Sequence, residues 1–221
     1  MREPLIIGHR GAPIVALENT MPAFAAAIAA GADGIEFDVR LSRDGVPVII
    51  HDDTLSRTHG VRGRVAELTA QEMGRVGVPS LRELFELMAG NSLLLYLEIK
   101  SREPELAGLC CGLVREFGLE DRVIVECFDL NVLTGVDLKR AALFDSRLYT
   151  DQSVIERSLA VGATVIALHH RMAKPPLVEQ AKAAGLTVVV WTVDDPVWVA
   201  RARSLGIEAL ITNDPSRMLA A

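Results

Sequence analysis

Four times in this chain an alanine-rich or amphipathic run ends on a glycine and passes at once into β-branched residues: "AFAAAIAAGADGIEFDV", "SLAVGATVIAL", "VEQAKAAGLTVVVW" and "ARARSLGIEALIT". A glycine just past the last helical residue takes the left-handed conformation that ends a helix at little steric cost. The runs that follow are almost wholly apolar, as expected of strands covered by helices on one face and by a core on the other. Helix and strand alternate, which predicts a largely parallel sheet.

Strands are expected at 4–9, 34–39, 93–99, 122–127, 141–144, 164–168, 187–193 and 208–212, with "PVIIH" at 47–51 as an addition. Eight parallel strands with intervening helices predict an α/β fold, a TIM-type (β/α)8 barrel with an extra hairpin strand beside strand two. A chain of 221 residues suffices for one such domain, expected to run over 1–221. An open doubly wound sheet is the alternative, but no glycine-rich phosphate loop follows the first strand. Helix starts are legible as well: Ser80 and Glu83 form a capping box, and Pro22 sits in the first turn opened by "ENT". The polar, glycine-punctuated stretch from Asp52 to Val78 is expected to be a loop with one short helix at "TAQEMGRV".

Charge and composition narrow the function classes. A net charge of −6 excludes the basic surface that nucleic acid requires. No run of about 18 apolar residues is present, so no integral membrane association is expected. An apolar run already begins at Leu5, which leaves no room ahead of it for a secretory signal. Cys110, Cys111 and Cys127 are too few and too clustered for a disulfide framework and are expected to be small buried hydrophobes. A cytoplasmic location follows as the expectation.

Within the apolar stretch "IEFDVRLSRDGVPVIIHD" lie two acids and a histidine. Asp44-Gly45 between two strand-like runs predicts a two-residue type I′ turn. Counting outward from that turn sets Arg43 opposite Val46 and Asp38 opposite His51, whereas a three-residue turn would shift the register by one and undo this pairing. Glu36, two residues from Asp38, points to the same face. Two carboxylates and an imidazole then share one end of the sheet. A salt-bridged cluster is the plain alternative, but two ionised acids at this spacing repel unless a cation lies between them. A hard divalent ion with oxygen ligands resolves the conflict.

Other strand ends supply matching parts, and barrel active sites lie at the C-terminal ends of the strands. The first strand ends in His9-Arg10-Gly11, and the third barrel strand in Glu98-Ile99-Lys100. Glu98 is a candidate third metal carboxylate, while Arg10 and Lys100 are candidate anion-binding groups. Two histidines with ordinary pKa values near ~6.5 can divide the work of base and acid at neutral pH. Together these residues suit phosphodiester cleavage.

The chain resembles the glycerophosphodiester phosphodiesterase family along nearly its whole length. The motifs are "GHRGAP", "ALENTMPAF", "GADGIEFDVRLSRDGVPVIIHDDTLSRT", "VPSLREL", "LYLEIK", "VVVWTVDDP" and "LGIEALITNDPSRM". The resemblance implies a TIM barrel that hydrolyses a glycerophosphodiester, a small-molecule substrate, to glycerol 3-phosphate and an alcohol. It implies that His9 and His51 are the catalytic pair, and that Glu36, Asp38 and Glu98 hold a divalent metal cation, Mg²⁺ or Ca²⁺. It also implies that Arg10 and Lys100 neighbour the phosphate or metal, that Asn19 is a polar group at the site, and that Trp191 lines the pocket. His9 is the expected base and His51 the expected acid. The nucleophile is either water or the substrate's own neighbouring hydroxyl. Ser42, His59, Cys127 and Asp194 depart from the family's usual residues; Cys127 is expected to alter a pocket contact and Asp194 one near the mouth. The segment 52–92 is short for the family, which implies a relatively open site.

Three rivals stand beside this reading: a lysophospholipase D-like activity, a non-catalytic barrel that binds a phosphodiester, and a metal-free sugar-phosphate barrel. The last leaves three carboxylates unexplained. His169 and His170 are expected to begin a polar loop, and Trp198 to pack its helix on the barrel. His59, Arg62 and Arg64 are expected to be solvated. Asp52 and Asp53 either orient His51 or cap the loop.

Overall fold

The computed structural model describes residues 3–101, 103–147 and 153–221. In chain order the first half comprises β1 (Leu5–His9), α1 (Met21–Ala30), β2 (Gly34–Leu41), β3 (Pro47–Ile49), α2 (Ser56–His59), α3 (Ala70–Gly74), α4 (Leu81–Met88) and β4 (Leu94–Ile99). Then follow α5 (Pro104–Glu116), β5 (Val123–Cys127), α6 (Leu130–Leu133), β6 (Lys139–Phe144), α7 (Ser153–Ala160) and β7 (Val165–His169). The last elements are α8 (Pro175–Ala183), β8 (Thr187–Trp191), α9 (Val197–Leu205), β9 (Ala209–Thr212) and α10 (Pro215–Leu219).

All strands but β3 pair in parallel, and β1 closes on β2, so eight strands form a barrel. β3 lies outside it, antiparallel to the overhanging end of β2. The barrel is the one expected, and the glycines at 31, 162, 185 and 206 that punctuate the sequence all take positive φ. Helix starts follow local chemistry: Ser80 and Glu83 close a reciprocal capping box, as do Thr69 and Glu72.

Side chains alternate along each strand. Ile7, Tyr96, Ile124, Ala141, Val165, Val189 and Ala209 fill the barrel interior. The outward set, including Phe37, Leu97, Val125 and Ile166, packs with the helices. One step further along the inward register of β1, β2, β4, β5 and β8 stand His9, Glu36, Glu98, Glu126 and Trp191. The polar groups therefore form the uppermost layer of a plugged barrel, above apolar layers that bar water from below.

Two local expectations are corrected. The hairpin turn has three residues, not two: Gly45 donates its N–H to the Ser42 carbonyl at 3.0 Å, and Leu41 pairs with Pro47. The Ser42 hydroxyl stabilises the wider turn, accepting from Val46 N–H at 2.9 Å and bonding Asp44 at 2.7 Å. The register shifts by one, and Ile50, not His51, donates its N–H to the Asp38 carbonyl. The stretch 52–78 is also more ordered than a loop. It holds α2, a single 3-10 turn and α3, and it buries Leu55, Val65, Met73 and Val78 with Val48 and Ile50 in a small core of its own.

Candidate active site

A cavity of about 370 Å³ opens at the C-terminal ends of the strands, lined on one side by His9, Arg10, Glu36, His51, Glu98 and Lys100. Glu126, in register beside Glu98, continues the lining, and Phe128, Leu143, Asp145, Arg147, Trp191 and Ile211 complete it. Asn19 and Asp38 lie buried beneath the polar side.

The turn after β1 is built to deliver two of these groups. Arg10 and Asn19 both adopt positive φ, 52° and 58°, which costs non-glycine residues energy and marks a functional constraint. Several bonds hold them there. Arg10 donates its backbone N–H to Glu36 Oε2 at 3.0 Å and accepts at its carbonyl from Asn19 N–H. Asn19 donates Nδ2–H to Asp38 Oδ2 at 2.7 Å. Gly11 is required as well, since a Cβ there would come within 2.6 Å of the Ala23 carbonyl carbon of α1.

Glu36, Asp38 and Glu98 each present an oxygen within 4.8 Å of the others'. Arg10 Nε lies 3.1 Å from Asp38, and Lys100 Nζ lies 3.3 Å from Asp38 and 2.6 Å from Glu98. With every group ionised, three buried carboxylates face two cations and one negative charge is left over. Each carboxyl answers differently. For Asp38 burial alone would raise the pKa, but Lys100 and Arg10 hold it down to about 2. Burial pushes Glu98 up to about 7 against the pull of Lys100. Burial and the neighbouring Asp38 carboxylate push Glu36 well above the usual carboxylate range. A hard divalent cation fits this oxygen set and would reverse both upward shifts.

The two histidines are held in different ways. Asn213 donates Nδ2–H to Asp194 Oδ2 at 2.8 Å, while Asp194 Oδ1 accepts the backbone N–H of Asn213 at 2.7 Å. The amide orientation is thereby fixed, so Asn213 Oδ1 accepts from His9 Nδ1 at 2.8 Å. The proton of neutral His9 therefore sits on Nδ1, and Nε2 is left with a free lone pair, 3.9 Å from Glu36 Oε2. Burial and the Arg10 guanidinium lower the His9 pKa to about 4, so this imidazole is neutral at physiological pH. His51 Nδ1 instead meets a carboxylate, Asp52 Oδ1, at 2.7 Å. Arg57 clamps that carboxylate and reaches on to Glu18, which also binds Arg10. Burial lowers the His51 pKa too, while Asp38 and the hydrogen bond to Asp52 pull it back. His51 enters the cavity although the predicted pairing with Asp38 does not form, because the chain leaves the ladder after Ile50.

All nine residues expected at the site are together at this end of the barrel. Trp191 lines the cavity edge-on to Phe128 with ring centres 5.5 Å apart, its Nε1–H donated to the Ala167 carbonyl. Asp52, one of two residues with open roles, is the orienter of His51, whereas Asp53 pairs with Arg64. Arg64 is thus paired as well as exposed, and His59 is half-buried and bonded to Thr58. Asp194 does not line the cavity; it holds Asn213, which bonds His9. Nor does Cys127: its side chain belongs to the outer core and its Sγ–H reaches the Ile99 carbonyl at 3.2 Å. His169 and His170 bond to the neighbouring loops, His169 to Ser146 after β6 and His170 to the Thr192 carbonyl after β8. Sequence reasoning missed Glu126, Asn213, Glu18 and Arg57. Glu126 had a signal, an acid inside the apolar run "RVIVEC" that pairs in register with Glu98.

Comparison with known proteins agrees with this geometry. The model of the glycerophosphoryl diester phosphodiesterase family matches residues 9–217. The chain is 33% identical over 233 residues to a glycerophosphodiester phosphodiesterase of Caldanaerobacter subterraneus subsp. tengcongensis, spanning 97% of this chain and 96% of that one. It superposes on the crystal structure of a glycerophosphodiester phosphodiesterase from Thermotoga maritima with a TM-score of 0.87 at 28% identity, covering 100% of this chain and 99% of that one. For another from Agrobacterium tumefaciens the values are 0.84 and 27%, over 99% and 100%.

Proposed function

The chain belongs to the glycerophosphoryl diester phosphodiesterase family, and from that premise we propose that it hydrolyses glycerophosphodiesters to glycerol 3-phosphate and an alcohol in a metal-dependent reaction. The observation that carries this reading is the placement of two differently held imidazoles and an acidic triad around one cavity. Glu36, Asp38 and Glu98 would hold a divalent cation, Mg²⁺ or Ca²⁺. When bound, such an ion neutralises phosphate charge as a Lewis acid.

The protein groups divide the remaining work. Arg10 and Lys100 attract the phosphodiester anion to the polar side of the cavity. His9 Nε2 accepts the proton of the nucleophile as the new P–O bond forms; the nucleophile is water or the substrate's own neighbouring hydroxyl, and in the second case water then opens the cyclic phosphate to glycerol 3-phosphate. His51 gives a proton to the departing alkoxide as the old P–O bond breaks, and Asp52 stabilises the charged imidazolium beforehand. Trp191 and Phe128 provide an apolar wall for the carbon skeleton.

Chelator-stripped protein incubated with glycerophosphocholine should release glycerol 3-phosphate only after Mg²⁺ or Ca²⁺ is restored. Equal release with and without metal would remove the metal from the mechanism. Release from lysolipids alone would favour the lysophospholipase D-like reading.

The acid triad also sets a pH dependence. Glu98, with its pKa pushed up to about 7, and Glu36, pushed well above the usual range, must lose their protons to hold a cation. Cation affinity is therefore expected to rise between pH 6 and pH 8, by up to about tenfold per pH unit for each proton displaced. Calorimetric titration of Mg²⁺ in buffers of different ionisation enthalpy measures the protons released. An affinity flat across this range would mean that both carboxyls are already ionised.

A further inference from the structure

Among the described residues, two buried acids line the cavity without a task in the proposed chemistry; Asp145 is bound by the Arg147 guanidinium and backbone N–H, which leaves Glu126. It is 1% exposed and lines the cavity, and its Oε2 has no hydrogen-bond partner. Asp38 Oδ1 and Glu98 Oε1 also lack hydrogen bonds, but both are ion-paired with Lys100. Among the described residues the acids close enough to share one ion are Glu36, Asp38 and Glu98, so Glu126 stands outside that group.

A buried carboxyl oxygen without a partner costs free energy, and it persists where a ligand supplies the missing bond. The surroundings indicate which ligand. Glu126 faces the cavity between Glu98 on β4 and the apolar wall of Phe128, Leu143 and Trp191. An anionic phosphate is repelled by this carboxylate and drawn to Arg10 and Lys100. A hydroxyl suits Glu126 in either protonation state, donating to the carboxylate or accepting from the acid.

Resting on the activity proposed above, we propose that Glu126 is the specificity-determining contact for the free hydroxyls of the glycerol unit, and so selects fully deacylated glycerophosphodiesters. A ligand whose hydroxyls are missing or acylated leaves Glu126 Oε2 buried and unpaired. A site built to hydrogen-bond a hydroxyl rejects analogues that lack it.

The test compares sn-glycerol 3-phosphate with n-propyl phosphate, the same length without hydroxyls, by calorimetric binding to the Mg²⁺-loaded protein. The wild type is expected to prefer glycerol 3-phosphate by about tenfold or more. Glu126→Leu should bring that ratio to about one with propyl phosphate affinity unchanged, which also certifies the fold, and Glu126→Gln should restore the preference. Glu126→Ala, which adds no bulk, serves if the leucine variant does not fold. A preference that survives Glu126→Leu or Glu126→Ala overturns the proposal. So does equal weakening of both ligands, which would place Glu126 with the cation. Failure of the hydrolytic reading looks different: a wild-type protein that discriminates the two phosphates but releases no glycerol 3-phosphate from its diesters.

Discussion

Replacing His9 with alanine is expected to lower kcat/KM on glycerophosphocholine by about 10³-fold, within the range for loss of a positioned general base. Three features single out this imidazole. Its Nδ1 proton is committed to Asn213 Oδ1, whose orientation is locked by Asp194. That commitment leaves the Nε2 lone pair as its reactive position. Burial and Arg10 lower its pKa to about 4, so nearly all of it is neutral at pH 7. Protonation is therefore lost as pH rises through about 4, and the base remains competent at every higher pH. In His9→Ala the carboxylates that would hold the cation stay in place, since Glu36 keeps its bond from the Arg10 N–H. The variant should bind Mg²⁺ with little change while turnover collapses. Calorimetric titration alongside initial rates separates the two effects. Turnover within tenfold of wild type would assign the proton transfer to another group, and joint loss of metal binding would make His9 part of the cation site.

The barrel was legible because its signals are local and repeated. A helix stop, a glycine and a two-sided apolar run recur four times, and each rests on backbone sterics that tertiary context rarely overrides. Glu36 and Asp38 stood out for a related reason, as acids in an apolar strand that need partners. The turn at Asp44-Gly45 was misread because the decisive interaction is the Ser42 hydroxyl bonding across to Val46, and it favours the wider three-residue turn. His51 nevertheless arrives, held by Arg40 Nε on its carbonyl and by Asp52 on its ring, rather than by a ladder pairing. Asn213 and Glu126 could not be found from local pattern. Asn213 meets His9 across 204 residues of chain, and Glu126 gains its meaning only when barrel closure sets it beside Glu98. Those placements follow from register around the barrel, which a single strand does not encode.

Glu36→Gln is expected to abolish metal-dependent turnover and yet make the metal-free protein more stable. Glutamine keeps the side-chain carbonyl that accepts the Arg10 N–H, so the strained turn after β1 retains its anchor. It removes one of three carboxylates that share two cations, and with it the surplus negative charge. The sign of the stability change follows from linkage. In the folded protein burial and Asp38 raise the Glu36 pKa well above its unfolded value. Folding then favours the protonated form, and metal-free stability falls as pH rises from about 4.5 toward the folded pKa. Glutamine cannot ionise and escapes that loss. At pH 8 the stripped variant should melt higher than stripped wild type, by about 2–4 °C for each kcal/mol of relieved repulsion. Added Mg²⁺ should reverse the order, because it stabilises the wild type by about 2.7 kcal/mol at a hundredfold excess over Kd and the variant hardly at all. Thermal melts with chelator and with Mg²⁺, run in parallel with activity, check both halves. If stripped Glu36→Gln melts lower than stripped wild type, the triad is a stabilising salt-bridge cluster rather than a strained site kept for a cation.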